Sequence, residues 1–280
     1  MKISFLGPEG SYSHIAARNI FTEKSTFVPA TTITNVLHDL SSGLVDRAVV
    51  PIENSSSGGV AETIEAFQRI EDIYINNEYI LPIHHALLLP KNCENLETIV
   101  EVRAHHMALS QCMDFIRANL PNAEILPSSS NSAAAKRLAK LLQENPDLKS
   151  SVIASDLCAE IYDLKLEKTQ INDSDLNQTR FWICSKEPAA LNTQAKNKTT
   201  IIFQTKDQPG SLQTILRLFA VNDINLSRIE SRPAKRNIGE YLFLIDFDLH
   251  RDDPSYDALL RQAKQHFSYY KWLGSYSLIN

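Results

Sequence analysis

A polar segment that runs straight into an apolar one, Asp175 to Ile183 (DLNQTRFWI), sets Asn177, Thr179 and Arg180 just ahead of a strand. A strand end can hold an amide, a hydroxyl and a guanidinium against a ligand. The hydroxyl donates a hydrogen bond or relays a proton, and the guanidinium grips a carboxylate. The same stretch also suits a solvated loop, with Arg180 in a salt bridge between two parts of the molecule. Glu53 and Asn54 stand in a similar place at the end of DRAVVPIEN. There a carboxyl could act as acid or base, and an amide could orient a substrate hydroxyl. The alternative is an Asx turn beside a solvated glutamate.

Four strand-to-helix junctions share a composition: Gly7-Pro8-Glu9-Gly10-Ser11, Ser55-Ser56-Ser57-Gly58-Gly59, Ser128 to Ser132, and Ala154-Ser155. Each sets backbone N–H groups and small hydroxyls at a helix N-terminus, where partial positive charge attracts anions. In parallel α/β sheets such junctions gather at the strand ends where ligands bind. Ser11, Ser13 and Ser55 are therefore candidate contacts for a small carboxylate. Against this, Ser, Asn and Gly are ordinary helix caps. Phosphate chemistry is disfavoured, because Gly7 to Gly10 lacks the Walker lysine and no GxGxxG occurs. Metal binding is also disfavoured. His84-His85 and His105-His106 are adjacent pairs, and neighbours on a strand point to opposite faces, so they read as packed or solvated. Phe181 and Trp182 read as core, and Gln111 taken alone reads as helix surface.

Alternating strands and helices must position these residues. ISFL, DRAVVPI, AEIL and SVIAS read as strands, with helices expected from about Ser13, Ala61, Ala133 and Asp156. Ala134, Leu138, Leu141 and Leu142 share one helix face. This alternation predicts α/β layers with mainly parallel strands. KEPAALNTQAKNK, Lys186 to Lys198, is polar and aperiodic and reads as a linker. Beyond it come TTIIFQT, SLQTILRLFAVN, INLSRIES, EYLFLIDFD, PSYDALLRQAKQ and KWLGSYSLI, a βαββαβ order of the ferredoxin-like kind. Leu212, Ile215, Leu216 and Phe219 are expected on one face of its first helix.

The 280 residues allow one large domain or two smaller ones, and the net charge of -5 supplies no basic field for nucleic acid. Cys93, Cys112, Cys158 and Cys184 are scattered, without a CxxC pair or zinc spacing, which suits a reducing cytoplasm. The opening MKISFLGPEG has too short an apolar stretch for a signal peptide, and no run approaches membrane-spanning length.

Together these motifs resemble the prephenate dehydratases over nearly the whole chain. FLGPEGSYSH, VVPIENSSSGGV and NQTRF look like that family's opening, Glu-Asn and Thr-Arg-Phe motifs. QPGSL, INLSRIESRP and WLGSY look like its regulatory ACT domain. The resemblance implies a two-lobed, periplasmic-binding-protein-like α/β catalytic domain over residues 1–187, a linker over 188–198 and an ACT domain over 199–280. It implies conversion of prephenate to phenylpyruvate with loss of water and carbon dioxide, no cofactor and no metal. Catalytic roles fall by resemblance on Thr179, Glu53, Asn54 and Gln111. Ser11, Ser13, Ser55, Asn177 and Arg180 are expected on the substrate. Phenylalanine is expected as effector at Gly210, Ser211, Leu212, Asn225, Leu226, Glu230 and Ser231, in a homodimer or homotetramer. Because position 1 meets the opening motif, no fused chorismate mutase is expected.

One segment departs from the family pattern Ser-His-Pro-Gln-Ala-Leu-x-Gln-Cys. Here Ala104 lacks the hydroxyl, and His106 and Met107 replace Pro and Gln. Three rivals stay open. An arogenate dehydratase would prefer the aminated substrate. A prephenate decarboxylase would leave the ring non-aromatic. A carboxylate sensor would bind without turnover.

Overall fold

The computed structural model describes residues 1–206, 208–234 and 241–279. The chain opens with β1 (Lys2–Leu6), α1 (Tyr12–Ile20), β2 (Thr26–Ala30), α2 (Ile33–Ser41), β3 (Arg47–Asn54), the short β4 (Gly58–Gly59), α3 (Ala61–Arg69) and β5 (Tyr74–Pro82). It crosses into a second lobe through β6 (Ala86–Leu89), β7 (Glu101–His105), α4 (His106–Gln111), α5 (Met113–Asn119), β8 (Glu124–Ser128), α6 (Asn131–Glu144), β9 (Ser150–Ala154), α7 (Leu157–Tyr162) and β10 (Lys165–Lys168). It returns along β11 (Gln178–Ser185). It then builds β12 (Asn197–Thr205), α8 (Ser211–Val221), β13 (Leu226–Pro233), β14 (Tyr241–Phe247), α9 (Pro254–Ala263) and β15 (Phe267–Ile279). Glu240, the expected first residue of one strand, and Asn280 lie outside the described residues.

Local sequence accounts for these elements. On α2, Ile33, Val36, Leu37 and Leu40 recur at helical spacing and all are buried. Side-chain oxygens of Ser11, Thr32 and Ser130 accept backbone N–H bonds at the starts of α1, α2 and α6. In the first lobe β2, β1 and β3 are parallel, and β11 and β5 extend the sheet antiparallel. In the second, β8, β7 and β9 are parallel, while β6 and β10 are antiparallel. The expectation of mainly parallel strands thus holds in direction for four strands of each lobe, since two antiparallel pairings return β5 and β10 to the direction of the parallel set. Of these strands, the ones that run opposite are β11, by which the chain returns to the first lobe, and β6, by which it enters the second. The two crossings run side by side: Ile83 N–H donates to Asn177 O at 2.8 Å and Ile171 N–H to His85 O at 3.0 Å.

The C-terminal βαββαβ unit has strand order β13-β14-β12-β15. Its last strand then pairs in parallel with β5, matching Ser277, Leu278 and Ile279 to Asn77, Glu78 and Tyr79. The first lobe and the C-terminal unit therefore form one continuous sheet. They also share a core, in which Ile202, Leu242, Leu244, Leu273 and Tyr276 pack with Phe67 and Trp182. Gly274 permits the join, since a Cβ there would meet the backbone of Ile75. The polar connection before β12 joins two units that are already fused through sheet and core.

Candidate active site

The end of β3 lies beside the start of β11, with Thr179 opposite Asn54 and Arg180 opposite Glu53. Successive side chains on a strand face opposite ways. Asn54 and Thr179 therefore share the face toward the second lobe, and Glu53 and Arg180 share the other. The first face lines a cleft of about 210 Å³ together with Tyr12, His85, His105, Gln111, Asn131 and Asn177. Gln111 arrives from the second lobe at the end of α4, while His85 and Asn177 come from the two crossings.

The direction of every hydrogen bond across this cleft follows from one backbone anchor. Ser56 N–H and Ser57 N–H donate to Asn54 Oδ1 at 3.0 and 3.2 Å, so the other end of that amide is Nδ2. Asn54 Nδ2 donates to Asn177 Oδ1 and to Thr179 Oγ1, each at 2.9 Å. Asn177 Nδ2 must then donate onward, and it meets Gln111 Oε1 at 2.9 Å. His85 Nε2 lies 3.0 Å from the same oxygen and so carries a hydrogen. In a neutral ring His85 Nδ1 is then an acceptor, and the single Tyr12 hydroxyl hydrogen is shared between it, at 2.6 Å, and His84 O, at 2.9 Å. Burial keeps both groups neutral. It lowers the His85 pKa, against a smaller raising effect of the Gln111 bond, and raises that of Tyr12 well above its ordinary value. Within this chain of bonds, two donors are left unused: the Thr179 O–H, whose oxygen already accepts from Asn54, and the Gln111 Nε2 hydrogens. Among the described residues, no arginine or lysine lines this cleft.

Sequence reasoning brought Thr179, Asn54, Asn177 and Gln111 together here. It did not separate out their neighbours. Glu53 and Arg180 point away from the cleft. Arg180 bonds Glu53 at 2.6 Å, Asp246 at 2.9 Å and Glu78 at 3.3 Å. Burial opposes its charge, but Asp246, Tyr276, Glu78 and Glu53 outweigh that and raise its pKa. The salt-bridge alternative thus replaces the carboxylate grip. Ser11 is used as a helix cap, accepting from His14 N–H and donating to Leu6 O. Ser55 Oγ donates to Leu176 O and accepts from Gln178 N–H. Ser13 is buried in α1 and does not line the cleft. Capping and loop tying account for Ser11 and Ser55. Ala104 is fully buried in the core of the second lobe with Val102 and Leu109, so the missing hydroxyl removes nothing from the cleft.

Tyr12, His85 and His105 were not picked out from sequence as cleft residues, and Ser57 and Asn131 entered only as members of two of the four junctions. For His85 the signal was present in the argument against a metal. If neighbours alternate, one histidine of an adjacent pair can face inward. His105 accepts from Met107 N–H through Nδ1 at 3.4 Å, and burial lowers its pKa.

The candidate effector residues divide by position. Gly210, in a left-handed conformation at φ 81°, begins α8 ahead of Ser211, while Leu212 packs into the C-terminal core. Asn225 Nδ2 donates to Asp248 Oδ2 at 3.0 Å, just before β13 begins. Leu226 also joins that core. Near the far end of β13, Glu230 is paired with Arg228 and Arg232 and faces the first lobe, whereas Ser231 is exposed. Arg232 Nη2 reaches Gly59 O at 3.1 Å and Arg228 Nη2 reaches Ile52 O at 3.4 Å, so this strand grips the loop that carries Asn54.

Residues 3–189 match the family model described as prephenate dehydratase, and residues 199–267 match the ACT domain. A prephenate dehydratase of Bacillus subtilis is 32% identical over 284 residues, covering 99% of this chain and 98% of the relative. A bifunctional chorismate mutase/prephenate dehydratase of Aquifex aeolicus is 32% identical over 276 residues, covering 99% of this chain and 73% of the relative. A crystal structure of prephenate dehydratase in complex with L-Phe, from Arthrobacter aurescens, superposes with TM-score 0.87 at 32% identity. It covers 99% of this chain and 90% of that one.

Proposed function

The chain belongs to the prephenate dehydratase family, and we infer that the Thr179–Asn54 cleft is where it converts prephenate to phenylpyruvate. The observation that carries this assignment is the Asn54 amide bound to Thr179 Oγ1 at the cleft wall. With Asn54 Nδ2 donating to that oxygen, the hydroxyl is turned to donate into the cleft, where the departing ring hydroxyl needs a proton. The carbon–oxygen bond breaks and water leaves. The bond to the ring carboxylate breaks as carbon dioxide departs, and its electron pair enters the ring and completes the aromatic sextet. One proton is taken up overall. That no lysine or arginine among the described residues lines the cleft also suits this step. A fixed positive charge would stabilise the ground-state carboxylate and oppose its loss as a neutral molecule. Behind Thr179 stands the Asn54 amide, while Glu53 is held by Arg180 on the other face.

Residues 1–187 are assigned to catalysis and 199–280 to regulation by phenylalanine. Gly210 and Asn225 lie at opposite ends of the C-terminal unit. An eight-residue β13 spans roughly 25 Å, too far for one amino acid to bridge within one chain. β13 is also an edge strand, with Ile229 49% exposed at its middle. Antiparallel pairing of two such edges would bring Asn225 of one subunit toward the Ser231 end of the other. This supports a homodimer, alone or within a tetramer, with phenylalanine held between subunits. Four free, buried cysteines support a cytoplasmic setting. No helix among the described residues is long and apolar enough to cross a membrane.

The test is purified full-length chain with prephenate, following phenylpyruvate, with arogenate in parallel. Phenylpyruvate formation with the expected preference for prephenate supports the reading. Faster turnover of arogenate would favour the aminated substrate. A non-aromatic product would favour simple decarboxylation, and binding without turnover would favour a sensor.

A further inference from the structure

We propose that Tyr12 and His85 are positioning residues for the dehydration, fixing the Gln111 amide so that its NH₂ group faces the substrate. The inference rests on the assignment of the cleft as the active site and extends it to two residues outside the catalytic set. Gln111 Oε1 accepts twice, from Asn177 Nδ2 at 2.9 Å and from His85 Nε2 at 3.0 Å. An amide held by its oxygen from two sides presents its nitrogen to the remaining side, the cleft. A carboxylate-bearing substrate needs a donor there, and a flipped amide would present an acceptor to an anion.

His85 can supply that hydrogen only if its proton sits on Nε2, and Tyr12, whose hydroxyl lies 2.6 Å from Nδ1 and 2.9 Å from His84 O, favours that tautomer by sharing its one hydrogen with the ring nitrogen. The ring is held in turn by its surroundings. His85 N–H donates to Asn172 Oδ1 at 2.6 Å, and its carbonyl accepts from Ile171 N–H. His85 is 3% exposed, and the Tyr12 ring meets it edge-on at 5.6 Å between centroids. Tyr12 belongs to α1 of the first lobe and Gln111 to α4 of the second. The pair therefore also ties the catalytic amide of one lobe to the other across the crossings.

Two measurements test this. Long-range ¹⁵N NMR of the wild-type imidazoles at neutral pH should show His85 neutral with the proton on Nε2. A proton on Nδ1 would overturn the proposal whatever the enzyme does with prephenate. In kinetics, His85→Leu should lower kcat/KM by about tenfold, the scale of one or two neutral hydrogen bonds. His85→Gln, which keeps an N–H donor, should recover part of the loss. Tyr12→Phe should give a smaller loss and an altered His85 tautomer ratio. In a Gln111→Met background His85→Leu should cost almost nothing further, because the group it positions is gone. Equal losses in both backgrounds would mean that His85 merely supports the fold, and unchanged kinetics in His85→Leu would also overturn the idea. If wild-type protein leaves prephenate untouched, the functional reading fails on its own, and the tautomer measurement still decides the positioning claim.

Discussion

The two faces of the β3–β11 pair solve opposite problems with adjacent residues. On one, Asn54 and Thr179 belong to a cleft whose contacts are neutral amides, a neutral imidazole and hydroxyls. On the other, one residue along each strand, Glu53 and Arg180 enter a charged cluster with Glu78, Lys198 and Asp246. A neutral network can be oriented completely by hydrogen-bond polarity while leaving chosen donors free. A buried charged cluster leaves no such freedom, since each carboxylate must be matched. The difference suggests a division of labour: the neutral face performs the chemistry, and the ionic face fastens the catalytic strands to the regulatory domain through Asp246 on β14.

Breaking the ionic face should give the largest effect. Arg180→Met would leave Asp246, 0% exposed in its side chain, without its cation, and Glu78, 6% exposed, with Lys198 alone. Removing one partner of a buried pair costs about 3–5 kcal/mol. Thermal unfolding should fall by on the order of 10 °C, and an unchanged melting temperature would show that the cluster holds nothing together.

The neutral face should respond in rate rather than stability. Thr179→Ala removes a donor used in the transition state, so kcat should drop on the order of 10²–10³-fold, about 3–4 kcal/mol, with KM and melting temperature little changed. Near-normal turnover in a folded Thr179→Ala protein would sink the assignment of the proton donor.

Much of this was legible in the sequence, and the part that was not has a physical cause. Hydrophobic periodicity and loop composition expose strands, helices and their order, so the α/β layers and the βαββαβ unit could be read directly, whereas the two-lobed division came from the family resemblance. Ordered motifs likewise pointed to Asn54, Gln111, Asn177 and Thr179. Strand alternation alone could have split Glu53 from Asn54 and Arg180 from Thr179, but a motif treats neighbours as a group. Which face of each strand meets the cleft depends on where the second lobe sits, and that is a tertiary fact. The parallel join of β15 to β5 was equally invisible, because it pairs residues about 200 positions apart. It also changes the choice of experiment. Cutting the chain near residue 190 would uncover β5 and the shared core, so point substitutions separate regulation from catalysis more cleanly than truncation.

The coupling between the faces can be sharpened at Glu230. Its carboxylate organises Arg228 and Arg232, which reach the carbonyls of Ile52 and Gly59 on either side of Asn54. A Cβ on Gly59 would lie 2.5 Å from that carboxylate, so strand and loop have little room to move independently. Glu230→Gln should weaken the grip on the loop and reduce inhibition by phenylalanine. The expected change lies within the 5–150-fold range of a coupling of about 1–3 kcal/mol. Calorimetry should show phenylalanine still bound while inhibition declines. Full inhibition in the variant would mean that the signal passes elsewhere, with Asp246–Arg180, Lys198–Glu78 and Lys271–Glu71 as further described ionic contacts between the C-terminal unit and the first lobe.

The smallest effect is expected at Ala104, and it tests whether a departure in sequence is a departure in chemistry. Ala104 lies on β7, one residue before His105, which lines the cleft. By alternation its Cβ faces the other way, and it is 0% exposed among Val102, Leu109 and Cys112. Ala104→Ser would therefore put a hydroxyl into an apolar core rather than into the cleft. If no carbonyl accepts its hydrogen, the cost falls on stability, at about 1–3 kcal/mol for a buried unpaired hydroxyl. Turnover should hardly move, and kcat/KM should stay within roughly tenfold of the parent, the limit set by one neutral hydrogen bond. A large rise in activity would require the new hydroxyl to reach the substrate, hence a rotation of β7 that also turns His105 out of the cleft. Unchanged kinetics together with a modest loss in melting temperature would confirm that position 104 belongs to the fold and position 105 to the site.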